Sequence, residues 1–418
     1  MKKFWRSVFM QEKKTMEILS LASIPLIMTL GNSMLIPVLP TLEKELNISA
    51  FQSSLIITVY SVISIICIPI AGYLSDIFGR KKVIIPSLVL TGIGGIVAGI
   101  SPLFFKDASY WLVLLGRLLQ GMGGSGAFPV VIPLVGDLFK NEKQVSNTLG
   151  IVETSNTAGK VLSPILGSMF AAISWYSPFL AIPGLCLISL ILVGFFIKVP
   201  KSPSIPKPFK TFVKDIAAIF KQKGKWLMGV FFIGGIIMFV LFGTLFYLSK
   251  ILEKQYHIDG IRKGFIIAIP LFALSVASLA TGKQIGQNKK LMKWLTFAGM
   301  FLLLVAMGLL TFNPPIRLFL FYLFIGSVGI GMTLPCLDTF LTEGIEKENR
   351  GTITSLYSSM RYVGVGLGPP LFAFLMKKST FITFFIAAAA VLLAVFLSLW
   401  AITPKQSSEK SKTEPNMV

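Results

Sequence analysis

The sequence predicts an all-α membrane protein of twelve transmembrane helices in two pseudo-symmetric six-helix halves. Three observations carry that reading: an apolar composition, a set of long apolar runs, and an internal repeat. Of 418 residues, 54% are hydrophobic and 14% charged, with a mean hydropathy of +0.78, far from a soluble globular composition. A crossing helix needs about 20 apolar residues, because about 30 Å of hydrocarbon is spanned at 1.5 Å per residue. Twelve runs qualify, at 17–40, 51–74, 83–103, 110–136, 148–172, 176–198, 226–250, 264–282, 291–312, 317–340, 352–376 and 380–402. The first follows basic residues as a signal peptide would, but its apolar run is long and no small-residue cleavage site follows it. It counts as a span.

The formal net charge of +21 is explained by topology. With the first loop placed outside, the N-terminus, the loops after even-numbered spans and the C-terminus hold 27 Lys and Arg, whereas the opposite loops hold 9. The positive-inside rule then puts both termini in the cytoplasm. Basic loops match an anionic leaflet, so nucleic acid is not an expected partner, and the lipid bilayer is. Cys67, Cys186 and Cys336 all fall inside spans and read as packing residues.

The repeat divides the chain. Setting 145–168 on 350–373 places Gly159, Leu162 and Pro164 on Gly364, Leu367 and Pro369; GRLLQGMGG at 116–124 likewise meets FIGSVGIGM at 324–332, with Gly121 and Gly123 on Gly329 and Gly331. The expected organisation is a first half at 1–198, a basic linker at 199–225, a second half at 226–404 and a polar tail at 405–418. Within the linker, Phe209, Phe212, Val213, Ile216, Ile219 and Phe220 recur at helical spacing among lysines, the pattern of a helix on the cytoplasmic leaflet. Parallel six-helix repeats place a substrate path between the halves near the midplane.

Three motifs follow from this frame. GYLSDIFGRKK at 72–82 holds Gly72, Asp76, Gly79 and Arg80 between spans 2 and 3; LLGRLLQGMGGSG at 114–126 puts Arg117 and Gln120 one turn apart in span 4; and span 5 reads Gly150, Gly159, Ser163, Pro164, Gly167 and Ser168. The sequence here resembles the major facilitator superfamily, in particular its twelve-span drug:proton antiporter branch. The span 1 ending GNSMLIPVLP and the stretches LPCLDTFLTEG and RGTITSLYSSMRYVGVGLGPP strengthen that resemblance. It implies a gating latch at Gly72, Asp76, Gly79 and Arg80, with Asp76 pairing across the halves. It also implies a hinge at Gly150, Gly159, Ser163, Pro164 and Gly167 that sets the direction of transport. Physically, Gly159, Ser163 and Gly167 make a small-residue strip that lets another helix approach closely, and Pro164 supplies a kink.

Residues shared by both halves are explained by packing, so charges present in one half demand another reason. Glu153 and Lys160 are about two turns apart on one face of span 5, and their repeat partners are Ser358 and Val365; Arg117 is matched by Ile325, and Arg361 by Asn156. A charge at the bilayer centre costs about 2.5 to 3.5 kcal/mol even on lenient scales. Such residues must face protein or water. Glu153, Arg117 and Asp338 are therefore the expected proton-coupling residues, with Glu153 as the carrier. Asn32, Gln120, Asn156, Lys160 and Arg361 are expected to line the substrate cavity.

No phosphate-binding loop, metal cluster or histidine beside a nucleophile is present, and His257 lies in an outer loop. An enzyme is not expected, nor a metal or other cofactor. One proton crossing about 180 mV supplies roughly 4 kcal/mol, enough for about a thousandfold gradient. The expectation is a monomeric bacterial plasma-membrane carrier exporting a small drug-like molecule, or a neutral or anionic metabolite, in exchange for protons by alternating access. Three interior cations against two acids favour the neutral or anionic cargo. A dedicated siderophore-like exporter and a proton-coupled nutrient symporter are the alternatives.

Overall fold

In a computed structural model, which describes residues 2–105, 108–139, 141–199, 209–286, 288–345 and 347–402, the described residues form helices joined by short turns. The polar tail expected at 405–418 and most of the proline-rich start of the linker, residues 200–208, lie outside the described residues.

Span 1 comprises α1 (Lys2–Ser33), a 3-10 turn (Ile36–Val38) and the short α2 (Leu39–Glu45). Pro37 and Pro40, each within the first two positions of one of the short elements, segment its end. The remaining first-half helices are α3 (Ala50–Phe78), α4 (Arg80–Phe104), α5 (Ser109–Leu138), α6 (Glu142–Ile173) and α7 (Ser177–Phe196). Ser49 and Gln52 start α3 with a reciprocal capping box. Gly79 parts α3 from α4 at φ +94, a backbone that side chains rarely adopt.

The second half is α8 (Phe209–Lys254), α9 (Gly260–Ile285), α10 (Lys289–Leu310), α11 (Ile316–Gly344), α12 (Lys347–Leu375) and α13 (Thr380–Trp400). The linker is helical from Phe209 and runs into span 7 through a non-helical Lys223, at φ −118 and ψ 15. The Lys223 ammonium fixes this kink by donating to the Gly344 carbonyl at 2.9 Å, at the end of α11.

Among the described residues, ten helices are long and apolar enough to cross a membrane by composition alone. α6 and α12 fall short of that measure although they are 32 and 29 residues long. These are the repeat-related helices that carry Glu153, Lys160 and Arg361.

Helix neighbours reproduce the repeat. In the first half α1 packs on α6 and α7, α4 on α5 and α7, and α3 on α5; in the second, α8 packs on α12 and α13, α10 on α11 and α13, and α9 on α11. Between the halves the seams are α3 with α12 and α6 with α9, themselves related by the same two-fold. Even the caps repeat: Lys81 at the start of α4 donates to Gly194 and Ile197 carbonyls at the end of α7, and Lys293 at the start of α10 donates to the Leu399 carbonyl at the end of α13.

Gly159 and Gly364 make equivalent approaches, to the backbones of α1 and α8 respectively. The span 4 register differs from the sequence alignment. Gly121 faces α3 at Tyr60, whereas Gly329 meets Gly299 of α10, so the two do not occupy matching contacts. Glycines recur so often in these helices that one-turn slips preserve the pattern.

Candidate functional site

Four ionisable side chains from both halves lie within electrostatic reach of one another. Glu153 and Lys160 come from α6, Asp338 from α11 and Arg361 from α12, and the charge of each acts on the others. Glu153 is exposed, and Lys160, Asp338 and Arg361 are half-buried. Charges on apolar helices that retain exposure while facing charges of the opposite half are tolerated where they face protein or water rather than lipid.

The bonds within the cluster are loose. Arg361 approaches Asp338 at 3.9 Å and lies over the Tyr357 ring, 5.7 Å from its centroid. Glu153 accepts from the Asn156 amide at 3.1 Å, and the Asn156 oxygen accepts from Thr29 of α1 at 2.6 Å. Glu153 thus has a neutral direct partner, and Lys160 acts on it through space.

Arg117 lies elsewhere. Fully buried, it donates to the Ile56 carbonyl at 2.9 Å, the Gly31 carbonyl at 3.4 Å, Gln120 Oε1 at 2.6 Å and Asn32 Oδ1 at 3.0 Å. Its guanidinium also lies 4.4 Å from the Tyr60 ring centroid. Asn32 and Gln120, expected to line the cavity, are buried partners of this fork. The fork ties α1, α3 and α5 into one body. The excess interior cation counted from the sequence was Arg117, so the charges facing the cavity balance, two acids against two cations.

Tyr60 carries the fork to the interface. It contacts Tyr362 of α12, with ring centroids 6.1 Å apart, and nearby Thr58 donates to the Gly366 carbonyl at 2.8 Å. The sequence offered no signal for this pair, since tyrosine in an apolar helix is ordinary packing.

At the latch, Arg80 pairs with Asp76 at 2.5 Å and with Asp137 of α5 at 3.4 Å, and donates to Ser75 at 2.6 Å. These ties join α3, α4 and α5 within the first half. Gly72 approaches the other half, where an added Cβ would lie 3.2 Å from Ser355 Oγ of α12. Asp137 was missed because an acid at a helix end in a basic loop carries no distinctive pattern.

The expected hinge residues divide by neighbour. Gly159 presses on the backbone of α1 at Leu26 and Gly167 on that of Met34 just beyond α1, Ser163 is buried and donates to the Lys160 carbonyl at 3.0 Å, and Pro164 with Ser168 receives Gly264 of α9. Gly150 makes no close approach.

Comparison with known proteins agrees with this architecture. The family model described as Major Facilitator Superfamily matches residues 21–369 and 289–416. The bacillibactin exporter of Bacillus subtilis (strain 168) is 51% identical over 394 residues, 94% of this chain and 98% of that protein. The class C tetracycline resistance protein of Escherichia coli is 25% identical over 362 residues, 81% of this chain and 84% of its own. Among solved structures, the human organic anion transporter MFSD10 superposes with a TM-score of 0.72 at 17% identity, covering 92% of this chain and 99% of its own. A D-xylose-proton symporter gives 0.73 at 16% identity, covering 93% and 98%. The chain belongs to the Major Facilitator Superfamily and is a membrane transporter of a small-molecule substrate, not an enzyme.

Proposed function

We propose that this transporter exports a siderophore-like metabolite, neutral or anionic, in exchange for protons by alternating access. The observation that carries the reading is the cluster of Glu153, Lys160, Asp338 and Arg361 between the halves. It supplies acids that can take up protons and cations that can receive an anionic cargo at one water-reachable place. Export and cargo class are supported by the relative at 51% identity, named for export of bacillibactin, a siderophore. Drug efflux is the weaker reading, carried by resistance proteins at 23–25% identity.

Glu153 is the proposed proton carrier, because its exposed carboxylate has a neutral amide as its direct partner and can exchange a proton with water. Lys160 and Arg361 hold the cargo, and Asp338 tunes Arg361. The latch at Asp76 and Arg80 and the small-residue strip of α6 are proposed to govern the exchange between states. The membrane is proposed to be the bacterial plasma membrane, with both termini cytoplasmic.

Everted vesicles with a pH-sensitive dye test the proposal, with a siderophore as the probe. Wild type is expected to move cargo inward as protons leave the vesicle lumen; Glu153→Gln is expected to insert normally and lose that coupling. Full proton-coupled transport by Glu153→Gln refutes the assignment, and cargo moving in the same direction as protons refutes antiport.

A further inference from the structure

The end of the bundle bearing the first loop holds a second charged cluster that the transport chemistry above does not use. Glu43 of α2 pairs with Lys250 of α8, and both are buried. Glu43 also accepts from Ser53 at 2.5 Å and has Lys254 at 3.9 Å. Beside it, Lys44 of the first half reaches Glu253 of the second at 2.7 Å, and Glu253 is further held by Lys263 at 2.5 Å. Ser249 adds a cross-half bond, donating to the Ile36 carbonyl at 3.0 Å.

The sequence places these residues in or beside loops, where ion pairs between exposed groups contribute little. Their burial changes that. Lys250 is 1% exposed, Lys263 2%, Glu253 8% and Glu43 9%. Buried charges persist only when paired; Glu43–Lys250 is such a pair drawn from both halves, whereas in the second cross-half pair the Lys44 side chain is 68% exposed and Glu253 also keeps Lys263 of its own half. The halves cannot separate at this end without breaking both pairs. Once they separate, water can solvate the released groups, so the pairs act in one state only, as a differential interaction must to shift an equilibrium.

We infer that Glu43–Lys250 and Lys44–Glu253 form the gate at the first-loop end, holding that end shut until cargo is to be released there. The inference rests on the proposed transport cycle only in requiring that this end opens. The rim is also charge-biased: Lys44, Lys250, Lys254, Lys263 and Lys377 stand against Glu43, Glu253 and Asp259. An opening gate therefore presents excess cations to the passage, a surface suited to an anionic cargo.

The test is accessibility of Ser249→Cys to a membrane-impermeant maleimide in right-side-out vesicles, read against the same chain without that cysteine. Ser249 is 1% exposed in the closed gate. Adding Glu43→Gln or Lys250→Met is expected to raise the labelling rate about tenfold, the ratio corresponding to about 1.4 kcal/mol. The exchange Glu43→Lys with Lys250→Glu is expected to return labelling toward the parent rate. Lys44→Gln, a change at an exposed side chain, gives a milder rise and covers the case in which a buried variant fails to fold. Unchanged labelling in the single variants overturns the inference, as does a rise that the exchange leaves in place in a normally folded chain. The readout needs neither cargo nor protons, so it fails or succeeds independently of the antiport reading.

Discussion

Replacing Arg117 by lysine separates two roles that the sequence left joined, because lysine keeps the charge but loses the planar fork. Arg117 engages two backbone carbonyls and the side-chain oxygens of Asn32 and Gln120, which are 7% and 1% exposed. The Ile56 carbonyl lies within α3, but the two side-chain oxygens depend on the fork. An ammonium is a point charge that does not reach such a spread of acceptors. Losing two hydrogen bonds to a charged group, each about 1.5 to 3 kcal/mol, predicts a destabilisation of about 3 kcal/mol or more. In detergent this is expected to lower Tm by roughly 5 °C, followed by intrinsic tryptophan fluorescence. Transport should fall with folded yield and its proton dependence should be unchanged. A variant with the parent's Tm but uncoupled transport would refute the scaffold role and restore Arg117 to the proton pathway.

Two further changes probe the seams and the cavity. Gly264→Leu adds a Cβ that would stand 2.5 Å from the Pro164 carbonyl and 2.7 Å from Ser168 Oγ; such overpacking costs about 1 to 3 kcal/mol, read as a lowered Tm and increased maleimide labelling at the first-loop end. Lys160→Gln leaves two acids against Arg361, and with an effective dielectric near 20 a cation about 5 Å away is worth roughly 3 kcal/mol to an anion. Anionic cargo is expected to bind at least about tenfold more weakly and lipophilic cations better, measured by competition in everted vesicles.

The architecture was legible because hydrocarbon thickness converts directly into run length, and the repeat into a two-fold arrangement. Glu153, Lys160 and Arg361 were legible for a related reason: a charge inside an apolar helix needs a cause, and the helices holding them are the two that fail the hydropathy measure. Arg117 carried the same signal with a different meaning. Sequence shows that a buried charge must be compensated, but not whether carboxylates or neutral oxygens compensate it. Glu43, Lys44, Lys250, Glu253 and Lys263 gave no signal at all, since lysine and glutamate near helix ends are what exposed loops contain. Only the closing of one half on the other brings them together, burying all but Lys44.

The two charged clusters lie on opposite sides of a contact made by one helix. α6 carries Glu153 and Lys160, and further along the same helix Pro164 and Ser168 receive Gly264. Gly264 is the chain neighbour of Lys263, which holds Glu253 at 2.5 Å, and Glu253 in turn holds Lys44 of the other half. Breaking one partner from a buried pair costs about 3 to 5 kcal/mol, whereas an exposed pair is worth at most about 1 kcal/mol. At the other end Arg80, Asp76 and Asp137, with 19%, 52% and 44% of their side chains exposed, are tied to one another within the first half. In the proposed proton-driven cycle, work must reach the first-loop end, where Glu43–Lys250 is a buried pair between the halves. In the proposed cycle, a displacement of α6 on neutralisation of Glu153 would meet Gly264, which packs on Pro164 and Ser168 with no room for a Cβ, so this contact would transmit motion to the first-loop end as well as permit bending.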